Sequence, residues 1–313
     1  MGTQLKKFFM NLISKKLELK FGKKILFNEK LANYNWFNLG GPSEFFFKPE
    51  NLKDIIIFLK EFKPEKINIL GAGSNTLVRD GGVKGITIKL SSHFSYLNLL
   101  SSNIIEVGAA TLDRKIADFA LKNSLTGLEF LSCIPGSIGG AIKMNSGCYD
   151  QDISQILHSI KIINMQGDEK DIFASDIKFY YRDSNLDPNS IITSVKLQGK
   201  SSSKEKIQKK QHDLIERKKK SQQSQINTCV STFKNTENKK AWELIKESNC
   251  QNLRVGNAKI SEKHCNFFVN DGQATAKELE DLINKVQTTV YEKTKTKLEL
   301  EIKIIGYSNQ KKS

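Results

Sequence analysis

The chain has 313 residues, enough for two or three domains with a substantial core, and carries 49 lysines and arginines against 34 acidic residues, a formal charge of +15. No stretch is long and apolar enough to cross a bilayer as a helix. Five cysteines without CxxC spacing exclude a disulfide framework or a zinc ribbon and point to a reducing, cytoplasmic setting.

Taken in order, residues 1–30 read as an amphipathic helix or an arm. Residues 31–48, LANYNWFNLGGPSEFFFK, read as a strand, a turn at Gly40-Gly41-Pro42 and a second strand. Asn51 to Lys60 has helical spacing, with Leu52, Ile55, Ile56 and Leu59 on one face. Ile67 to Leu70 is a strand that runs into a glycine loop, Gly71-Ala72-Gly73-Ser74-Asn75-Thr76, and Ile86 to Leu90 alternates as another strand. A second lobe follows: a strand over Ile104 to Val107, then a helix over Thr111 to Asn123 with Thr111 as its cap. Next come strands over Ile160 to Ile163 and Ile191 to Leu197. Ser201 to Gln225 is polar and basic, a connecting helix with an exposed surface. Beyond it lie a helix near Lys239 to Glu247 and another over Thr275 to Lys293, where Thr275 and Glu278 form a capping box. A terminal strand spans Lys297 to Ile305, with Leu298, Leu300, Ile302 and Ile304 inward.

The stretch GLEFLSCIPGSIGGAIKMNSG, Gly127 to Gly147, is the chain's second glycine loop. Glycine permits close approach of backbone amides to a ligand, and successive free amides form an anion-binding hollow. Two such loops predict two walls around one phosphate-bearing ligand. Thr76 stands where the dinucleotide fingerprint needs its third glycine, and no Gly-Lys-Ser/Thr follows, so neither the Rossmann nor the Walker pattern holds. That combination suits a flavin held between two lobes. Three polar positions add chemistry. Arg182 follows an aromatic pair and is suited to carboxylate binding; Ser231 and Glu301 lie in CVSTFKN and in the alternating terminal strand. From the residues alone the chain is a flavin- or nucleotide-binding α+β protein, with a basic nucleic-acid-binding protein as the rival class. The scattered lysines, without interleaved aromatics, favour a small polyanion.

The motifs NYNWFNLGGPSEFFFKP, GAGSNTLVRDGG, GLEFLSCIPGSIGGAIKMNSGCY, FYYRDS, STFKN, SEKHCNFFVN and LELEIKIIG resemble, in order and spacing, those of the UDP-N-acetylenolpyruvoylglucosamine reductases. The resemblance runs from about Asn33 to Gly306 and implies an α+β fold: a two-lobed FAD-binding module of the vanillyl-alcohol-oxidase-like type plus a C-terminal α+β substrate-binding domain. Its divisions would be an arm at 1–30, lobes at 31–100 and 101–200, a basic connector at 201–227 and a substrate domain at 228–313. It implies FAD contacts from Gly71, Gly73, Ser74 and Asn75, and from Pro135, Gly136, Ser137, Gly139, Gly140, Asn145 and Gly147. No histidine lies in either loop, so a covalent histidyl link is not expected. Arg182, Ser231 and Glu301 match the family's catalytic residues, and Tyr181, Asn235 and Lys263 match positions that touch the sugar nucleotide. The implied reaction is NADPH-dependent reduction of UDP-N-acetylglucosamine enolpyruvate in peptidoglycan precursor synthesis. Neither a metal, a nucleic acid nor a stable membrane insertion is implied. The short interval between Arg182 and Ser231 matches the subclass without an extra tyrosine-bearing loop.

Departures cluster around Ser231. Gln223, Asn227 and Thr236 stand where proline is usual, and Val230 stands where glycine is usual. A β-branched residue tolerates positive φ poorly, so the loop either uses ordinary φ here or is shifted. Asn249, Asn252 and Asn257 replace family glycines. These departures leave open a reductase of low activity, beside another FAD-linked oxidoreductase of the same fold.

Overall fold

The computed structural model describes residues 3–221 and 227–308. Its first lobe is a four-stranded mixed sheet in the order β1-β2-β5-β3. Strand β1 (Ile25–Lys30) runs antiparallel to β2 (Pro42–Phe47), and β5 (Val83–Ile88) lies parallel to both β2 and β3 (Ile67–Ile69). Helix α1 (Thr3–Phe21) leads in, with Leu17 and Phe21 buried and the Phe21 ring 4.8 Å from that of Phe47. Helix α2 (Leu52–Phe62) starts where Asn51 accepts the Asp54 amide at 2.9 Å, and buries Ile55, Phe58 and Leu59. The expected strand at Leu31 is absent: Leu31–Tyr34 is a 3-10 turn. Asn35 explains it, because its side-chain amide donates to the carbonyls of both Leu31 and Leu39 at 2.8 Å and closes a local loop instead of a ladder.

The second lobe is a five-stranded antiparallel sheet in the order β9-β8-β10-β7-β6. Its strands are β6 (Leu97–Leu99), β7 (Ile104–Gly108), β8 (Leu157–Ile163), β9 (Glu169–Phe173) and β10 (Ile191–Gln198). Helices α3 (Asp113–Lys122) and α4 (Ile138–Lys143) pack on it. Thr111 is not the cap of α3. Leu112 holds that position, and the Thr111 hydroxyl donates to Tyr96 O at 3.2 Å instead. Helix α5 (Lys204–Ser221) is exposed along one side and buried along the other. Leu214 joins the lobe's core, Ile207 is buried, and Lys210 pairs with the buried Glu129 at 3.1 Å. Its apolar residues are too sparse, among lysines, to read as a stripe. The linker residues Gln222 to Ile226, including Gln223, lie outside the described residues.

The last part is a four-stranded antiparallel sheet, β11-β14-β13-β12, made of β11 (Asn227–Thr228), β12 (Arg254–Val255), β13 (Ala258–Ile260) and β14 (Phe268–Asn270). Helices α6 (Ala241–Glu247) and α7 (Ala276–Thr294) cover it, and α7 begins with the expected Thr275–Glu278 capping box. Phe37, Leu39 and Leu77 from the first lobe share its core. The terminal strand is shorter than expected: β15 (Lys303–Ile305) lies parallel to β4 (Thr76–Val78), directly after the first glycine loop. The last part is therefore clamped to the loop that precedes β4.

Two adjacent residues strengthen that clamp. Arg79 grips Glu280 through Nε and Nη2, both at 2.8 Å. Asp80 accepts the amides of Ala276 and Lys277 at the start of α7, at 2.9 and 3.0 Å. Carboxylates are stabilised there by free amides and the helix dipole. Asp80→Ala is expected to cost about 1–2 kcal/mol, read as a lowered urea midpoint.

Candidate functional site

The two glycine loops meet. Ser74 Oγ donates to Pro135 O at 2.7 Å, and a Cβ on Gly71 would come 2.9 Å from Ser137 Oγ. Gly73 has φ +73°, and a Cβ there would lie 2.1 Å from Tyr34 O, so only glycine fits. Among the described residues, no protein acceptor takes the backbone amides of residues 71–75. That is the donor set of an anion hollow.

Both loops line one cavity of about 1780 Å³, bounded also by α5 and by the last part of the chain. A single small-molecule site usually measures roughly 300–1,000 Å³, so this one has room for more than one ligand. Its wall holds eight lysines and arginines against four acidic residues, a balance that favours polyanions. Three of those lysines are deeply placed. Lys89 donates to Gly71 O, Lys218 donates to Cys133 O at 2.8 Å, and Lys143 donates to Asp187 O and to Ser190 Oγ at 3.1 Å. Burial pulls all three ammonium groups down, Lys143 to about 8. A bound polyanion would restore the charge that burial disfavours.

At one end of the cavity the three sequence-predicted chemical residues come together. Arg182 adopts φ +57°, an uncommon conformation for a non-glycine residue. Its Nε donates to Glu301 Oε1 at 3.1 Å and its Nη2 to Gly147 O at 2.7 Å. The Tyr181 ring lies 4.9 Å from the guanidinium carbon. Nη1 has no protein acceptor among the described residues. Glu301 is 13% exposed, and burial raises its pKa although Arg182 opposes the shift. Its backbone amide donates to Thr232 O at 2.8 Å, next to Ser231, and Phe233 bridges Leu300. Asn75 Nδ2 donates to Glu301 O at 3.0 Å, which ties this end to the first glycine loop. Ser231 faces the same cavity, with no hydrogen-bond partner among the described residues.

The remaining sequence-predicted residues divide. Gly71, Gly73, Ser74, Asn75, Pro135, Gly136, Ser137, Gly139, Gly140, Gly147, Tyr181 and Asn235 line the cavity. Asn145 and Lys263 do not. Asn145 is 4% exposed and both ends of its amide are used, Nδ2 on Tyr180 O at 3.1 Å and Oδ1 by the Ser154 amide at 3.1 Å. It braces the segment that carries Arg182. Lys263 donates to Lys219 O near the end of α5, at 3.0 Å. Sequence reading missed Lys89, Lys143, Lys218 and Asp113. Only Lys143, one turn past the glycine pair in GGAIK, carried a local signal.

Val230 does not have positive φ, so the loop before Ser231 uses ordinary backbone and needs no glycine. Its amide donates to Ser74 O at 3.2 Å. Thr236, where proline is usual, donates its amide to Lys239 O at 3.0 Å, a bond proline cannot make. Of the three asparagines, only Asn249 (φ +55°) uses the left-handed region. Val230→Gly is therefore expected to leave kcat within about twofold and to cost about 0.5–1 kcal/mol in stability through added unfolded-chain freedom. A strong rise in kcat would show that Val230 impairs the loop.

The surroundings fit a dinucleotide such as FAD by three observations: unused amides in the first loop, glycines whose Cβ atoms would fill the cradle, and buried polar atoms without partners, Asn75 Oδ1 and both Asp113 oxygens. Comparisons with known proteins agree. A model of the FAD binding domain matches residues 43–172, and a model of the UDP-N-acetylenolpyruvoylglucosamine reductase C-terminal domain matches residues 219–305. The UDP-N-acetylenolpyruvoylglucosamine reductase of Pelagibacter ubique (strain HTCC1062) is 43% identical over 295 residues, covering 93% of this chain and 98% of that protein. The protein of the same name from Anaplasma marginale (strain St. Maries) is 40% identical over 277 residues, 88% of this chain and 92% of its own. The crystal structure of the Thermus caldophilus UDP-N-acetylenolpyruvylglucosamine reductase superposes with a TM-score of 0.78 at 32% identity, covering 90% of this chain and 97% of that one.

Proposed function

The chain belongs to the UDP-N-acetylenolpyruvoylglucosamine reductase family, and from that premise we propose that it reduces UDP-N-acetylglucosamine enolpyruvate to UDP-N-acetylmuramate with NADPH, through FAD, in peptidoglycan precursor synthesis in the cytoplasm. The observation that carries this reading is the Arg182–Glu301 pair set beside Ser231 in a cavity that also contains both glycine loops. Another flavin oxidoreductase of this fold would need the loops but not this trio.

Bound FAD would supply hydride transfer from NADPH to the enolpyruvyl methylene carbon. The protein does the rest. The unused backbone amides of the first glycine loop would hold the diphosphate of FAD, with the second loop as the facing wall. Glu301 and Gly147 O hold two edges of Arg182, and its Nη1 is left to bind the substrate carboxylate as negative charge builds beside it. Ser231 donates a proton to the carbon next to that carboxylate. A hydroxyl is a weak acid, so this step requires a strongly basic acceptor and a close approach. Tyr181 and Asn235 line the part of the cavity assigned to the sugar nucleotide. The Lys263 ammonium donates to Lys219 O of α5, and we assign it no ligand contact.

The test is turnover. Purified protein should be yellow, and sustained NADPH oxidation beyond one equivalent per flavin should require the enolpyruvyl substrate and yield a product heavier by two hydrogens. NADPH oxidation that is indifferent to that substrate would refute the assignment in favour of another flavin oxidoreductase.

A further inference from the structure

Asp113 opens helix α3, and its side chain is wholly buried. Neither of its carboxyl oxygens has a hydrogen-bond partner. Buried carboxyls are ordinarily paired. This one is not stranded in a random part of the core. Its backbone amide donates to Gly136 O at 3.2 Å, and it forms part of the cavity wall. Its Oδ2 lies 3.3 Å from the position that a Cβ on Gly136 would take, and Ser74 Oγ lies 3.3 Å from the same point. The carboxyl therefore sits where the two glycine loops meet, next to the bare Cα of Gly136.

We propose that Asp113 is a further cofactor-binding residue, whose carboxylic acid donates a hydrogen bond to an oxygen of the FAD diphosphate. The inference rests on the FAD reading given above. Burial raises the Asp113 pKa well above the usual carboxylate range, which favours the neutral acid. A neutral acid has a proton to give; an ionised one would repel the diphosphate. Neither 71–76 nor 134–142 contains a lysine or arginine. The loops themselves therefore offer only neutral donors, with Lys89 reaching the first of them at Gly71 O, and a diphosphate offers only acceptors.

The test is the FAD affinity of the flavin-stripped protein, by quenching of flavin fluorescence, for the parent, Asp113→Asn and Asp113→Ala. Riboflavin, which has the ring but no diphosphate, is the second ligand. Asparagine keeps the shape and a neutral donor and should hold FAD within about threefold of the parent. Alanine should lose about tenfold to a hundredfold in FAD affinity and leave riboflavin affinity unchanged. Parental FAD binding by the alanine variant would overturn the inference. So would equal losses for FAD and riboflavin, which would mark a purely structural role in seating α3, or a loss in the asparagine variant as large as in alanine. A parent that binds no FAD would instead refute the functional reading beneath it.

Discussion

Ser231→Ala should leave flavin reduction by NADPH at the parental rate and slow flavin reoxidation by the enolpyruvyl substrate by about 10²–10⁴-fold, the range for loss of a positioned general acid. The split follows from position. Ser231 lines the cavity beside Thr232, whose carbonyl takes the Glu301 amide, and it makes no hydrogen bond to the described protein. Its hydroxyl is not tied into the fold, so its loss should cost little stability. Cysteine at the same position restores a proton donor and should recover part of the rate. Equal slowing of both half-reactions would mean that the substitution disturbs the flavin rather than the proton transfer.

Arg182→Ala should lower kcat by about 10²–10³-fold, as expected when a donor facing developing charge is removed. Lysine should not rescue it, because the ammonium cannot hold Glu301 and Gly147 O at once while presenting a third donor. This substitution also carries a structural cost. Glu301 would stay behind, mostly buried and unpaired, and breaking such a pair typically costs about 3–5 kcal/mol. With Arg182 absent, its charge and its hydrogen bond no longer oppose burial and only the Lys234 charge still does, so the Glu301 pKa should rise further. The raised carboxyl pKa has a defined sign: its unfavourable contribution is absent below the unfolded pKa and appears as pH rises through the folded one. The destabilisation of Arg182→Ala should therefore shrink as pH falls from neutrality towards the carboxylate range. Adding Glu301→Gln should recover stability without recovering kcat. Recovery of both would assign Arg182 a structural role only.

Much of this site was legible because its signals are local. A glycine that must take φ +73° against a carbonyl, as Gly73 does, announces itself in GAGSN. The Thr275–Glu278 cap is a pattern of four residues and appears as expected. What escaped was decided by partners distant in the chain. Alternation in LELEIKII shows an extended stretch but cannot say that Lys303–Ile305 will pair with Thr76–Val78. Glu301 reads as a solvent-facing residue until Arg182 covers it. Lys204 to Lys220 reads as exposed because lysine stems hide a helix face with few apolar residues. Asn145 lies by sequence in the second glycine loop, but it is not on the cavity wall and the two ends of its amide meet Tyr180 O and the Ser154 amide, which only coordinates reveal. Asp113 had no signal, since an acid at the start of a helix is commonplace.

The central claim is that one cavity takes electrons from NADPH and returns them to an enolpyruvyl carbon beside Arg182 and Ser231. Anaerobic stopped-flow absorbance tests it most directly: NADPH is mixed with the protein, and UDP-N-acetylglucosamine enolpyruvate is added once the flavin is bleached. The account predicts prompt return of the oxidised flavin spectrum, with one product formed per flavin. A flavin that bleaches with NADPH and stays reduced in the presence of that substrate would contradict it.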